Sequence, residues 1–202
     1  MRIAAVLMLL TMILGNPVLP AEPEASLPFH LPTPEGWQTE TIPFPLGFAP
    51  ELDYQGLEEL RFAPGMFKSE SENLWSYTFV WWFPDTTKLS PERLEKDLSR
   101  YFKGLMEAVG ENRNRDLTNA RYTAKLVQPP ASDDQEAYLL GTAETYDSFV
   151  TAEMITLNVK ICQVSCAEQG MTALFFELSP QPFDHGIWAE MDAIRHGFRC
   201  AP

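Results

Sequence analysis

Clustered basic residues, paired glycines, histidines and long apolar runs are all scarce in this chain, and each shortage removes a class of activity. Among 202 residues there are 15 Lys or Arg against 28 Asp or Glu, a formal net charge of -13. Nucleic-acid binding needs grouped cations that displace counterions from phosphates. Here the densest basic set, Arg93, Lys96, Arg100 and Lys103, alternates with Glu92, Glu95, Asp97 and Glu107, the pattern of a solvated helix face laced with opposite charges. Nucleic acid is therefore not an expected partner. Phosphate and dinucleotide cradles want glycines where a strand meets a helix. The segment Phe83-Pro84-Asp85-Thr86-Thr87-Lys88-Leu89 at that junction has none.

Three histidines are too few and too dispersed for the usual catalytic or metal sets. His30 sits in a proline-rich stretch, and His185 and His196 fall on one predicted helix about 16 Å apart, beyond shared coordination of one ion. Neither a G-x-S-x-G nor an S-x-x-K motif occurs, so no nucleophile comes with a base and an orienting group. The acidic turn with Asp133, Asp134 and Glu136 lacks the glycine and ligand spacing of a calcium loop. A dyad of Cys162 with His185 or His196 is conceivable, but a strand cysteine in an exported chain is expected to be a small structural residue. No catalytic residue, cofactor or metal is assigned on these grounds.

The single long apolar run, Ile3 to Leu14, follows Arg2 and gives way to Gly15, Asn16, Pro17, Pro20 and Ala21. One positive charge, a short apolar core and a small residue at the end predict a signal peptide over residues 1–21, cleaved after Ala21. A stretch of twelve residues is too short for a membrane-spanning helix, which needs about 20. No cysteine follows the run to carry a lipid. The expected location is the periplasm or the extracellular space, with no membrane span after cleavage. Cleavage removes only the charge of Arg2, so the net charge falls from -13 to -14.

Seven of the seventeen prolines lie between residues 22 and 50. Proline fixes its own φ and biases its predecessor toward extended backbone, so this arm contributes edge strands at most. Residues 22–33 read as a disordered or loosely docked leader, and residues 34–202 as a single domain large enough to bury its own core. Trp37, Phe44, Phe48 and Leu52 offer anchors along the arm.

The strongest pattern is Trp75 to Asp85. Alternation puts Trp75, Tyr77, Phe79, Trp81 and Phe83 on one side of a strand and Ser76, Thr78, Val80 and Trp82 on the other. Pro84 ends it. Ser90-Pro91 then supplies a cap and a first-turn proline for a helix of about 90–109, with Leu94, Leu98, Tyr101, Phe102, Leu105, Met106 and Val109 as one apolar stripe. From Asn119 the period becomes two. Strands are expected at 121–128, 137–145, 154–164 and 171–179, joined as an antiparallel meander. Asp184 should cap a closing helix of about 185–198, with Ile187, Trp188, Met191, Ile194 and Phe198 inward. The fold class is α+β, an antiparallel sheet flanked by two main helices in an α/β sandwich.

Chain lengths also choose a disulfide among Cys162, Cys166 and Cys200. The last strand rises about 26 Å and the closing helix returns about 20 Å. The chain end therefore comes back beside the turn that holds Cys166. Cys162 and Cys166 stand about 13 Å apart on an extended strand, too far to bond. Cys166 to Cys200 is the expected bridge.

Pro34-Glu35-Gly36-Trp37, the strand and helix from Trp75 to Val109, and the closing Ile187 to Phe198 helix together resemble in layout the PsbP-like fold. The resemblance implies an antiparallel sheet with helices packed on its faces, as found in photosystem accessory subunits and other small accessory proteins. It implies no functional residue, because a fold does not specify a function.

Trp81 and Trp82 are adjacent and so face opposite ways. If helices cover both faces of the sheet, both rings are core. If one face is open, Trp82, Val80 and Thr78 form a surface for a partner protein or a small apolar ligand. The expected function is an exported, non-catalytic binding domain. The competing expectation is a periplasmic hydrolase-type enzyme built from dispersed carboxylates and His185; simple self-association is a third.

Overall fold

The computed structural model describes residues 27–129 and 138–200. The predicted signal peptide, leader residues 22–26 and the turn with Asp133, Asp134 and Glu136 lie outside the described residues. Along the chain come β1 (Phe29–His30), β2 (Gln38–Pro43), β3 (Leu57–Phe62), β4 (Tyr77–Phe83), α1 (Pro91–Asn112), β5 (Thr123–Val127), β6 (Tyr138–Tyr146), β7 (Met154–Cys166), β8 (Met171–Ser179), α2 (Gly186–His196) and β9 (Arg199–Cys200). Seven strands form one sheet in the order β2-β3-β4-β8-β7-β6-β5, with every neighbouring pair antiparallel. The short β1 and β9 pair with each other alone. The proline-rich arm supplies β2, an edge strand as proline requires.

The aromatic strand β4 runs through the middle of this sheet, between β3 and β8, and is buried on both sides. Tyr77, Phe79, Trp81 and Phe83 pack under Leu94, Leu98, Tyr101, Phe102 and Met106 of α1. Phe79 stacks between Tyr101, at 5.2 Å between ring centroids, and Phe176 of β8, at 4.5 Å, the offset geometry that aromatic quadrupoles favour. On the other side Val80, Trp82, Ala173 and Phe175 lie beneath Ile187, Trp188, Met191 and Ile194 of α2. Two helices thus cover two faces, and the chain is an α+β sandwich.

Four local expectations shift. Trp75 does not begin the strand: it sits in left-handed backbone at φ 56°, with its N–H donated to the Met66 carbonyl, and β4 starts two residues later. Its ring still reaches the α1-side core. Helix α1 passes through Gly110 to Asn112. A Cβ at Gly110 would fall 2.9 Å from a Leu117 methyl and 3.1 Å from the Ser148 hydroxyl, so this glycine admits a close crossing rather than stopping the helix. The cap of α2 is His185, whose Nδ1 accepts the Ile187 N–H at 3.2 Å, not Asp184. Finally, the described part of the leader is docked: Phe29 and Leu31 are buried in the α2-side core. Apolar side chains two apart in an extended segment can face one core together, and here they do.

Cys166 and Cys200 are joined by a disulfide with 5.8 Å between Cα atoms. The bond ties β9 to the end of β7. Cys162 lies on the same side of β7, in the α2-side core, and its Sγ is 4.0 Å from Arg195 Nη1.

Candidate functional site

Val80, Trp82 and Thr78 do not form a surface. Trp82 is 3% exposed, Val80 and Thr78 no more than 1%. The Trp82 ring lies 5.0 Å from Phe29 and 6.2 Å from Phe198, and the Thr78 hydroxyl donates to the Phe176 carbonyl at 2.9 Å. The open-face expectation fails because α2, Phe198 beyond its end and the leader together close the side of β4 that α1 leaves uncovered.

Titratable groups with altered chemistry are present, but they are shut away. Glu58 of β3 is wholly buried on the α1 side, where the Trp81 indole N–H donates to its Oε1 at 3.1 Å. Burial pushes its carboxyl up to about 8, and the hydrogen bonds from Trp81 and Tyr101 only partly oppose this. Burial likewise raises Tyr101 and Tyr77 well above the ordinary tyrosine value. Nearby, the Tyr54 hydroxyl donates to Asp97 at 2.6 Å and Arg93 Nε donates to the same oxygen at 2.7 Å.

On the opposite side Glu177 of β8 is met by Arg195 Nε at 3.0 Å and by Lys160 Nζ at 3.7 Å. Burial pushes Glu177 up to about 7, against the pull of Lys160 and Arg195. Asp192 closes the cluster on both cations, with Arg195 Nη2 at 2.6 Å. Burial acts upward on Asp192 too, but the hydrogen bonds from Lys160 and Arg195 outweigh it and hold the carboxyl below its ordinary value. Two cations facing two carboxylates form a charge-balanced support for α2, because each buried charge has an opposite neighbour. His185 spends its Nδ1 on the α2 cap, and His196 is exposed at the far end of that helix. Among the described residues no three of His, Cys, Asp and Glu stand where they could hold a metal ion.

An accessible concavity opens elsewhere, on the α1 side at the end of the sheet beyond the start of that helix. It encloses about 200 Å³ between the 84–90 connection, β6 and β7. Its floor is aliphatic, from Leu89, Leu94, Leu139, Ile161 and Leu174, and its rim is polar, from Lys88, Gln128, Tyr138, Gln163 and Ser165. Gln163 shapes one wall: its Oε1 accepts the Leu89 N–H at 3.2 Å and its Nε2 donates to the Thr87 carbonyl at 3.0 Å. The connection, which has no helix or strand of its own, is thereby fastened to β7. Neither a carboxylate nor a histidine lines the groove. An apolar floor with a few placed polar groups is the kind of lining that holds a molecule. Sequence reading passed over these residues. The legible signal was Gln163, which breaks the inward apolar series Leu157, Val159, Ile161 of β7.

No family model and no curated protein matches the chain. Among solved structures it is similar to the solution structure of cyanobacterial PsbP (CyanoP) from Synechocystis sp. PCC 6803, with 11% identity, 86% of each chain covered and a TM-score of 0.38. The likeness is one of layout and transfers no residue.

Proposed function

We propose that this chain is an exported, non-catalytic accessory domain that seats an apolar side chain of a partner protein in the groove between the 84–90 connection and β6–β7. The observation that carries the reading is the lining: five aliphatic side chains below, uncharged polar groups and Lys88 above, and neither a carboxylate nor a histidine. Its volume of about 200 Å³ lies below the roughly 300–1,000 Å³ of pockets for drug-sized ligands and suits one inserted aliphatic or aromatic group. Among the described residues no helix is long and apolar enough to cross a membrane. Export is supported by the Cys166–Cys200 disulfide, since such bonds persist in oxidising compartments, together with the apolar stretch from Ile3 to Leu14. The enzyme reading has less support, because Glu58 and Glu177 are sealed from solvent and His185 is committed to a helix cap.

The test compares tagged wild type with Ser165→Trp, a change at an exposed rim residue that fills the groove without deleting a core contact. A partner protein held from an extract of the source cells by wild type and lost by the folded variant supports the reading. Retention of the same proteins by both, or of none by wild type, overturns it.

A further inference from the structure

Residues 27–33 lie in the α2-side core in the manner of a bound peptide. The Phe29 ring sits 5.0 Å from Trp82 and 5.5 Å from Phe198, and Leu31, two residues on, is also buried, whereas His30 between them is exposed. The backbone of Phe29 and His30 pairs with Cys200 and Arg199. Beyond the paired residues, Arg61 takes over: Nη2 donates to the Leu31 carbonyl at 3.0 Å and Nε to the Pro32 carbonyl at 3.1 Å. Arg61 is itself almost fully buried and held by an ion pair to Glu59 and by the Leu60 carbonyl. A Cβ on Gly197 would fall 2.3 Å from Cγ of Pro32, so glycine is what lets the proline ring lie against the end of α2. Strand pairing for affinity with pockets for alternate side chains is how sheet edges recognise extended peptides.

We propose that the groove over Trp82 is a peptide-binding site for an extended Phe-x-Leu-Pro segment, filled here by the chain's own leader, which is exchangeable for that of a second copy. No disulfide locks the leader into the groove: the Cys166–Cys200 bond fixes the β9 side, and residues 27–33 contain no cysteine. The connection from Thr33 to Gly36 is mostly exposed and ends in a turn, in which the Trp37 N–H donates to the Pro34 carbonyl at 3.1 Å and Gly36 takes φ 79°. Exchange of an identical element between copies creates no new contact and is a low-cost route to a dimer. The tether holds the leader at a local concentration on the order of millimolar, so exchange in trans requires concentrated protein. This groove is on the opposite face of the sheet from the one in the proposed function and stands or falls separately.

A protease site placed after Thr33 in the full chain allows the leader to be cut after folding. Fluorescein-labelled Leu-Pro-Phe-His-Leu-Pro-Thr is then titrated in and followed by anisotropy. Saturable binding of one peptide per chain is expected, with the peptide carrying Phe29→Ala weaker by about tenfold or more. Absence of exchange, or equal binding of the two peptides, overturns the proposal. As a second measurement on the unaltered chain, ¹⁴N and ¹⁵N preparations are mixed at high concentration and examined by native mass spectrometry. Mixed dimers that Gly197→Ala removes support it; monomers alone, or dimers indifferent to that substitution, overturn it.

Discussion

Glu58→Gln should remove a loss of stability that the wild-type protein suffers as pH rises from about 4.5 to about 8. The carboxyl is fully buried between Trp81 and Tyr101, and burial carries it from an ordinary 4.5 up to about 8. Above pH 4.5 the unfolded chain releases this proton while the folded chain keeps it. The stability due to Glu58 is therefore complete below the unfolded value and is lost as pH climbs toward the folded one. The slope is about 1.4 kcal/mol per pH unit, so the loss approaches 5 kcal/mol by pH 8 and is about 3 kcal/mol at pH 7. That is large beside the roughly 5–15 kcal/mol that holds a typical domain together. Glutamine keeps the shape, accepts the Trp81 N–H through its own oxygen and carries no charge. Urea unfolding of both proteins from pH 4 to pH 8.5 gives the comparison. Near pH 4 the variant should match wild type within about 1 kcal/mol, and the difference should then grow in its favour with each pH unit. Burial also raises Glu40 and Glu177; Glu177, on the other side of the sheet, cancels in the difference, whereas the Glu40 charge, which helps to raise Glu58, is part of what the substitution relieves. A difference that stays flat from pH 5 to pH 8 would refute the placement of a protonated Glu58 in the core.

Cys200→Ser opens a covalent loop with a sequence separation of 34 residues, for which loop-closure entropy gives a destabilisation of about 4 kcal/mol; thermal unfolding with and without reductant should show wild type falling to the level of the variant. Asp147→Ala removes a buried carboxylate that accepts the N–H groups of Phe149, Val150 and Thr151 and the Thr151 hydroxyl. The cost should be about 2–4 kcal/mol in urea unfolding, since three backbone donors lose their partner at once. Gly141→Ala would put a Cβ 1.9 Å from the Lys125 carbonyl oxygen, so amide exchange across the β5–β6 pair should accelerate more than exchange in β4 or β8. Ser90→Ala removes the side chain that accepts the Arg93 N–H at the start of α1 and should cost about 1 kcal/mol.

Local chemistry made most of this fold legible, and non-local chemistry hid the rest. The apolar stripe from Leu94 to Val109 and the alternation from Leu157 to Ile161 are written into neighbouring residues, so α1 and β7 follow from spacing alone. The disulfide was within reach because strand and helix rises are fixed lengths. Trp82 was not, although its strand was plain. Period-two alternation tells which residues share a face; it carries no information about what lies on that face. The cover comes from Phe29, far along the chain in a segment whose prolines signal only extended backbone, and from Phe198 beyond α2. The reason to dock appears only when Arg61, an arginine inside a strand, is seen to need acceptors and finds the Leu31 and Pro32 carbonyls. A buried charge must be paired and hydrogen-bonded. An Arg in β3 flanked by two aliphatic or aromatic neighbours was therefore a sign that another segment would come to it, and the same reasoning applied to Glu58 and Glu177 would have marked both sides of the sheet as covered.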